Sequence, residues 1–464
     1  MVTAKGKGKQ MTNTDYGLKQ GLRNRHVTMI ALGGIIGAGL FVGSGSVIAA
    51  AGPAAFISYL LAGLVVVLAM RMLGEMAVAN PSTGSFVDYS RKALGEWAGF
   101  CSGWLYWYVW VIVVGFEAVA GAAIVQYWID LPLWVLSLVL MSALTISNLV
   151  SVTSFGEFEF WFAGIKVAAI AVFIVLAGAF AVGLWPGHSL DFSNLTSHGG
   201  FLPNGVPSLF SAIVVVMFAM MGPEIATIAA AESTDPVFSV SKATKSVIYR
   251  LIVFYVGAIF LLAVIVPWNS IKPGESPFVA AMNVLGIPYA ANVMNGLILV
   301  AVLSCMNSAI FTSSRMLFVL ARRNEAPSWL VKLNKRKVPA RAILVSTFVG
   351  FLSVIAAAIS PDTVFLFLLN SSGALILFVY LLMCISQIIL RRRTPEKDLT
   401  LKMWFFPWLS ILTVVAITMI LVLIGLGAET RSQLFLGLAA WAATFAVFLI
   451  RRRILRSRAG TALP

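Results

Sequence analysis

The sequence has little charge for its length. Only 11% of its 464 residues are Asp, Glu, Lys or Arg, whereas a soluble globular domain has about 25%. Hydrophobic residues make up 60% of the chain and the mean hydropathy is +0.94. These values exclude a water-soluble fold, and they predict an all-α integral membrane protein.

Cysteine and histidine are also scarce, with three residues of each. The cysteines fall within apolar runs, and the histidines do not have the spacing of a zinc site or a catalytic triad. The sequence contains neither a nucleophile elbow nor a phosphate-binding loop. It therefore predicts no enzyme, no metal site and no bound cofactor.

Apolar runs of spanning length, roughly 20 residues in a helix, recur along the chain. Twelve are predicted, at 27–50, 55–79, 98–128, 131–150, 157–184, 206–231, 245–267, 289–321, 340–359, 362–390, 404–426 and 432–450. The first run lacks a small-residue cleavage site and leads directly into further spans, which indicates an uncleaved helix and not a signal peptide.

The net charge is +15. Its basic residues are concentrated in alternate loops between the spans, a pattern that indicates membrane orientation and not nucleic-acid binding. Lys and Arg cluster before span one and after spans two, six, eight, ten and twelve, whereas the alternate loops hold only Lys272 and Arg431. By the positive-inside rule, both termini are predicted in the cytoplasm. The partners expected from composition are the lipid bilayer and a small molecule, and nucleic acid is not expected.

The most unusual stretch is Leu32–Gly45, LGGIIGAGLFVGSG, in which six glycines interrupt the first span. Each glycine costs about 1 kcal/mol of helix propensity relative to Ala, and backbone freed at membrane depth must line a protein cavity. Two interpretations are open. The run can be an unwound point whose peptide groups bind a polar ligand, or a close helix contact through small residues.

A second interruption lies in span six, where Gly222, Pro223 and Glu224 disrupt an apolar run. Spans one and six each begin a block of five, so the pair predicts an inverted repeat with a binding site at the shared midplane. The predicted segments are a cytoplasmic tail at 1–24, a first repeat at 25–190, a second repeat at 206–390, two further spans at 404–450 and a basic cytoplasmic tail at 451–464.

Other ionisable residues lie inside the predicted spans. Arg71 and Glu75 are four residues apart on one helix face, so each can neutralise the other as a structural pair or as part of an inner gate. Glu117 in span three is a functional candidate that either faces a water-filled path or pairs with a neighbouring helix. Arg71, Glu75 and Glu117 are therefore the ionisable candidates in spans two and three.

Lys166 lies near the midplane of span five, about 14 Å from the start of that span at 1.5 Å per residue. The sequence shows no obvious acidic partner for it on its own helix, and a functional role is favoured over a structural one. Glu157 and Glu159 begin the same span and are expected at the cytoplasmic surface, where carboxylates suit a helix N-terminus.

Four motifs resemble a known family. GGIIGAGLFVGSG, RMLGEMAVANPSTGSF and MNSAIFTSSRMLFVLARRNEAP are similar to signatures of bacterial amino acid permeases in the amino acid–polyamine–organocation (APC) superfamily, and the likeness covers nearly the whole chain. GPEIATIAAAES in span six most resembles the γ-aminobutyrate (GABA) permeases. The resemblance implies twelve transmembrane helices in a leucine-transporter-type 5+5 inverted repeat plus two C-terminal helices, with helices 1 and 6 broken.

The resemblance also implies a substrate site. The amides of Ala38 and Gly39 would hold the carboxylate of an amino acid. The carbonyls of Ile35, Phe218 and Met221 would receive its ammonium group, and the Phe218 ring would close over the site. In proton-coupled members of the family, a lysine of helix 5 takes the place of a sodium ion beside the break in helix 1.

Lys166 matches the position of that lysine. Coupling is accordingly assigned to Lys166, Gly37, Glu117 and Glu224, with H⁺ as the coupling ion. The implied function is import of GABA by proton symport with alternating access, in a multi-pass protein of the inner (plasma) membrane. The alternatives are a proton-coupled permease for another neutral amino acid, such as proline or an aromatic one, and, from a different class, a channel or a non-transporting sensor.

Overall fold

The computed structural model describes residues 24–33, 36–82, 84–150, 152–231, 235–272, 274–396, 399–427 and 430–460. Within these residues all regular elements are helices. The first half holds α1 (Asn24–Gly33), α2 (Ala38–Phe41), α3 (Gly43–Ala51), α4 (Ala55–Ala79), α5 (Ser85–Leu94), α6 (Glu96–Val125), α7 (Leu133–Val150) and α8 (Val152–Ala181). The second half holds α9 (Val206–Met220), α10 (Ile225–Ala231), α11 (Pro236–Arg250), α12 (Ala258–Ile265), α13 (Pro277–Leu285), α14 (Ala290–Arg322), α15 (Ala340–Ile359), α16 (Pro361–Arg393), α17 (Trp408–Leu426) and α18 (Arg431–Gly460).

Nine helical stretches among the described residues are long and apolar enough to cross a membrane, and Leu251–Ile265 and Ala340–Ala356 are shorter apolar helices. One stretch, Ala38–Ala79, runs through α2, α3 and α4 and joins parts of two predicted spans. The chain is a multi-pass membrane protein, and its predicted all-α class is confirmed. Of the predicted N-terminal tail, residues 1–23 lie outside the described residues.

Helix 1 is broken within the glycine run, as predicted. α1 ends at Gly33 and α2 begins at Ala38, directly after Gly37, whose backbone is extended. The amides of Leu40 and Phe41 both donate to the Gly37 carbonyl, which starts the next helical turn. The chain between the two helices includes Gly34 and Ile35, which lie outside the described residues.

Helix 6 is also broken at the predicted position. α9 ends at Met220, and α10 begins at Ile225. Gly222 has a φ of +114°, a conformation that costs glycine little and other residues much. Pro223 follows and has no amide to donate to the preceding turn.

Helix 7 differs from the continuous span predicted at 245–267. α11 passes into a π-helical segment, Leu251–Gly257, before α12 begins. The hydroxyl of Tyr255 in this segment donates to the Ala219 carbonyl at 3.1 Å. In a continuous helix that carbonyl would accept from residue 223, but Pro223 has no N–H. Tyr255 therefore satisfies a carbonyl that the break in helix 6 leaves free.

The centre of the bundle is formed by α6 and α14, with α8, α9 and α16 packed around them. α16 passes without a break through 370–373, which the sequence marks as a polar patch at depth. Its Gly373 lies so close to α9 that a Cβ there would collide with the Val214 carbonyl oxygen. The glycine in this patch therefore serves close helix packing.

We call the end of the bundle that carries Arg25, Arg91, Arg323 and Arg391 the basic end. Its ion pairs join segments that are far apart in the sequence. Arg91 binds Glu325 through two oxygens, Arg323 binds Asp88, and Arg25 binds Glu157.

At the opposite end, the Phe278 ring packs between Phe41 and Phe173, with ring centroids 4.9 and 4.8 Å away. A Cβ on Gly45 would lie 2.5 Å from the Glu275 carbonyl oxygen. The segment that holds Glu275 and Phe278 therefore lies tightly against helix 1.

Candidate functional site

The two broken helices meet at Gly39. A Cβ on this residue would lie 2.8 Å from the Cα of Ala219 and 3.5 Å from Cδ1 of Phe218. Real Cβ atoms do not approach backbone this closely, so glycine is what allows helices 1 and 6 to come together here. The structure thus brings the two breaks face to face, as the sequence predicts.

The first break presents the amide of Ala38, and Glu117 of α6 occupies it. The amide donates to both carboxylate oxygens, at 3.2 Å to Oε1 and 3.1 Å to Oε2. A Cβ on Gly37 would lie 2.5 Å from Glu117 Oε1 and 2.6 Å from the Cβ of Cys305. Gly37 therefore gives Glu117 room to reach the same amide that the family resemblance assigns to the substrate carboxylate.

Lys166 of α8 contacts the same break from another side. Its Nζ donates to the Ile36 carbonyl at 3.1 Å and to the Ser304 hydroxyl of α14 at 2.8 Å. The lysine is 1% exposed, and Glu117 is equally buried. A cation and a carboxylate thus hold successive peptide groups of the unwound segment, the carbonyl of Ile36 and the amide of Ala38.

The expectation that Lys166 has no acidic partner on its own helix is wrong. Glu159 Oε1 lies 3.9 Å from Lys166 Nζ, and both side chains are buried. Glu159 was expected at the membrane surface, but α8 begins at Val152, five residues before the predicted start, so that Glu159 lies two turns inside the helix. Glu157 does face the basic end, where its Oε1 accepts hydrogen bonds from Arg25 and His26.

The second break is held by Glu224. This carboxylate accepts from the Gly222 amide at 3.1 Å, from the Tyr106 hydroxyl of α6 at 3.2 Å and from the Tyr380 hydroxyl of α16 at 2.9 Å. Three donors, one in the break itself and two on neighbouring helices, give both oxygens of this fully buried carboxylate a partner. Glu224 therefore connects the unwound part of helix 6 to α6 and α16.

Phe218 and Met221 line the junction of the breaks and are buried. The Phe218 ring packs edge-on against Phe116, with a centroid distance of 4.8 Å, and its carbonyl accepts from the Met221 amide at 3.2 Å. The predicted gate ring is thus at the junction. Of the predicted substrate ligands, Ile35 lies outside the described residues.

Arg71 and Glu75 are both at the basic end, but their hydrogen bonds go to other partners. Glu75 accepts from Arg391 at 2.9 Å, from Gln387 Nε2 at 2.8 Å and from the Met403 amide at 2.6 Å. Arg71 donates to a backbone carbonyl at residue 402. Arg71 and Glu75 attract each other across one helical turn, but the direct partners of Glu75 are two side chains of α16 and one backbone amide of the segment that follows α16.

Glu75→Ala is expected to destabilise the folded protein by about 3 kcal/mol, because it leaves the Arg391 guanidinium and a buried amide without their acceptor. The matched control is Glu396→Ala, which removes an exposed ion pair with Lys402 and should leave stability unchanged. Heat-induced loss of monodisperse protein in detergent measures both. Equal midpoints for the two variants would contradict the role given to Glu75.

Sequence reasoning missed several residues of the site. Tyr106 belongs to a run of aromatic residues that resembles an interfacial belt, and Tyr255 and Tyr380 lie far from the breaks in sequence. A usable signal existed only for Glu159, whose seven-residue separation from Lys166 places both on one helix face. The tyrosine contacts depend on tertiary packing alone.

The fold and the site together define a class. An all-helical membrane bundle in which two broken helices present peptide groups to buried charged side chains is the architecture of a secondary transporter. The profile of the amino acid permease family matches residues 26–456. The chain belongs to the amino acid permease family.

The most similar relatives include the gamma-aminobutyric acid permease of Bacillus subtilis (strain 168), which is 52% identical over 431 residues and 92% of each chain. The gamma-aminobutyric acid permease of Escherichia coli (strain K12) is 47% identical over 409 residues and 87% of each chain. Among solved structures, a manganese transporter of Eremococcus coleocola is similar in fold, with a TM-score of 0.58, 12% identity and 98% of each chain covered.

Proposed function

We propose that this permease imports GABA together with protons by alternating access. The relatives named above are GABA permeases, which supports the substrate. The observation that carries the mechanism is the pair of buried groups on the first break: Lys166 on the Ile36 carbonyl and Glu117 on the Ala38 amide. Both groups can change protonation, and both contact the segment that must hold the substrate.

The substrate carboxylate competes with Glu117 in this proposal. The amides of Ala38 and Gly39 lie at the start of α2, where backbone N–H groups favour an anion. Before substrate binds, the Glu117 carboxylate occupies the Ala38 amide. A bound substrate carboxylate displaces it, and a proton on Glu117 then removes the repulsion between two carboxylates in a site away from water.

The ammonium end of the substrate lies toward helix 6. The carbonyls of Phe218 and Met221, with that of Ile35, are proposed to accept its hydrogen bonds, and the Phe218 ring lies close enough to helix 1 to cover the site. GABA places its amine farther from its carboxylate than an α-amino acid does. The proposal therefore requires amine acceptors farther from α2 than an α-amino acid would use.

The remaining charged residues are proposed to control opening. Glu224 fixes the second break to α6 and α16, so its three hydrogen bonds must rearrange when helix 6 moves. Arg71 and Glu75 lie at the basic end, which we assign to the cytoplasm because its loops carry most of the lysines and arginines. In the proposed division, 25–190 and 206–390 are the two repeats and 404–450 packs outside them.

Uptake into proteoliposomes tests the substrate. Purified protein with an imposed inward proton gradient is expected to accumulate radiolabelled GABA, and unlabelled GABA should compete far better than proline, phenylalanine or tryptophan. Competition led by an aromatic amino acid or proline would make this chain a permease for that substrate. Binding without accumulation would indicate a sensor, and non-saturable downhill flux would indicate a channel.

A further inference from the structure

A continuous hydrogen-bonded path leads from Lys166 to Glu159. The Lys166 ammonium donates to the Ser304 hydroxyl at 2.8 Å, and that hydroxyl donates to Glu159 Oε1 at 2.5 Å. The three side chains come from only two helices, α8 and α14, and all are buried. Each donor in the path therefore points toward the carboxylate.

The path runs toward the basic end of the bundle. Glu159 precedes Lys166 by seven residues on α8, a rise of about 10 Å along the helix axis. Next to Glu159, α14 presents Asn307 and Ser308, and the Asn307 amide oxygen accepts from Asn148 of α7 at 2.6 Å. Polar side chains thus continue from the lysine past the carboxylate.

Burying a carboxylate at membrane depth is costly, and such residues usually serve a function. Stability alone gives weak support for this pair, because an apolar pair of similar size is often as stable as a buried ion pair. The other titratable groups around Lys166 are Glu117 of α6 and the Cys305 thiol of α14. Beyond Glu159 toward the basic end, Arg25 and His26 bind Glu157.

We propose that Glu159 is the proton acceptor of Lys166 on the cytoplasmic side, with Ser304 as the bridge. One N–H bond of the ammonium breaks while an O–H bond forms on Ser304, and the original Ser304 proton moves to Glu159 Oε1. The charged pair becomes a neutral amine and a neutral carboxylic acid, so no charge is lost or created. Glu159 then releases the proton along the polar side chains when the basic end opens.

This inference rests on the proposed function, because it requires proton coupling. Its consequence is that Glu159 controls where the coupling proton leaves, whereas binding of the amino acid does not need it. Glu159→Gln keeps the size of the side chain and an oxygen that can accept from Ser304, but an amide cannot take up the proton. The substitution therefore separates proton transfer from packing.

The test uses full-length protein in proteoliposomes that contain a trapped pH indicator. Two quantities are measured: exchange of labelled for unlabelled GABA at equal pH, which needs no net proton movement, and accumulation driven by a proton gradient with the accompanying internal acidification. For Glu159→Gln we expect exchange to remain within about twofold of wild type, and proton-driven accumulation to fall about 100-fold, as when a positioned acid–base group is removed.

Ser304→Ala removes the bridging hydroxyl, so it should likewise retain exchange and lose proton-driven accumulation. Ser304→Thr keeps a hydroxyl and should retain both. Glu159→Asp keeps a proton acceptor and should restore acidification in part. If Glu159→Gln accumulates GABA as wild type does, the inference is wrong. It is equally wrong if exchange and accumulation fall together and Glu159→Asp restores neither, because that pattern indicates a structural role.

The wild-type protein separates this inference from the proposed function. If wild type transports another amino acid with protons, the GABA assignment fails and the same variants are measured with that amino acid. If wild type transports without acidifying the vesicle interior, proton coupling itself fails and the role of Glu159 fails with it. A variant that does not fold is recognised by aggregation in detergent. If Glu159→Gln aggregates, the comparison of Ser304→Ala with Ser304→Thr tests the inference in its place.

Discussion

Lys166→Met is expected to abolish accumulation of GABA against a gradient, with uphill uptake at least about 100-fold below wild type. The substitution removes a group that contacts both the break in helix 1 and the path to Glu159. It also leaves Glu159 buried without a cation, a change that costs about 3–5 kcal/mol in comparable buried pairs. Uptake in proteoliposomes under an inward proton gradient measures the effect.

The matched control for this prediction is Lys242→Met, because Lys242 is an exposed lysine in α11, away from the breaks. Its transport should equal that of wild type. Correct insertion of each variant is verified by its monodisperse elution and its reconstituted amount. Normal proton-driven accumulation by folded Lys166→Met would refute the coupling role of this lysine.

Gly39→Ala is expected to reduce transport about 100-fold, since a displacement near 1 Å at a reacting or binding site can have that effect. The added methyl group would lie 2.8 Å from the Cα of Ala219 and 3.3 Å from its Cβ. Backbone cannot rotate away as a flexible side chain can, so helices 1 and 6 must separate. Binding of labelled GABA to purified protein and uptake into vesicles both report the change.

Gly178→Ala provides the control for a glycine in a membrane helix. A Cβ at Gly178 would have no neighbour within 4 Å among the described residues, and replacing glycine by alanine favours a helix by about 1 kcal/mol. This variant should transport as wild type or be slightly more stable. Equal activity of Gly39→Ala and Gly178→Ala would mean that the contact between the breaks is not needed.

The two breaks could be predicted because their causes are local. A run of glycines and the sequence Gly222-Pro223-Glu224 disfavour a helix wherever they occur, and the membrane requires that freed peptide groups find protein partners. The identity of those partners is a tertiary property. The family resemblance implies that the amide of Ala38 is available, but the packing of α6 decides that Glu117 reaches it.

Glu159 shows where sequence reasoning failed. A carboxylate near the expected start of a span is ordinarily solvated, and moving the helix start by five residues is enough to bury it. Its burial is tolerated because Ser304, 145 residues away in sequence, donates to it from α14. Helix boundaries are poorly determined by composition, and at a membrane surface they decide whether a charge is inside or outside.

The prediction that Arg71 and Glu75 chiefly bind each other missed the actual partners for a related reason. Their spacing is ideal for a helical ion pair, but such pairs contribute only about 0.5 kcal/mol. α16 offers Glu75 a guanidinium and an amide side chain, and the segment after α16 adds a backbone amide. Several charge-assisted hydrogen bonds outweigh one local pair, and no spacing rule anticipates a partner more than 300 residues away.

The π-helical segment Leu251–Gly257 makes helix 7 intolerant of insertion or deletion. Each residue of an α-helix turns the chain by about 100°, so removing one residue here would swing Tyr255 away from Ala219. The carbonyl that Pro223 leaves unbonded would then be buried in the protein without its donor, a cost of about 1–3 kcal/mol. Pro223 in helix 6 thus constrains the length of helix 7, so an insertion or deletion in helix 7 would need a compensating change at Pro223.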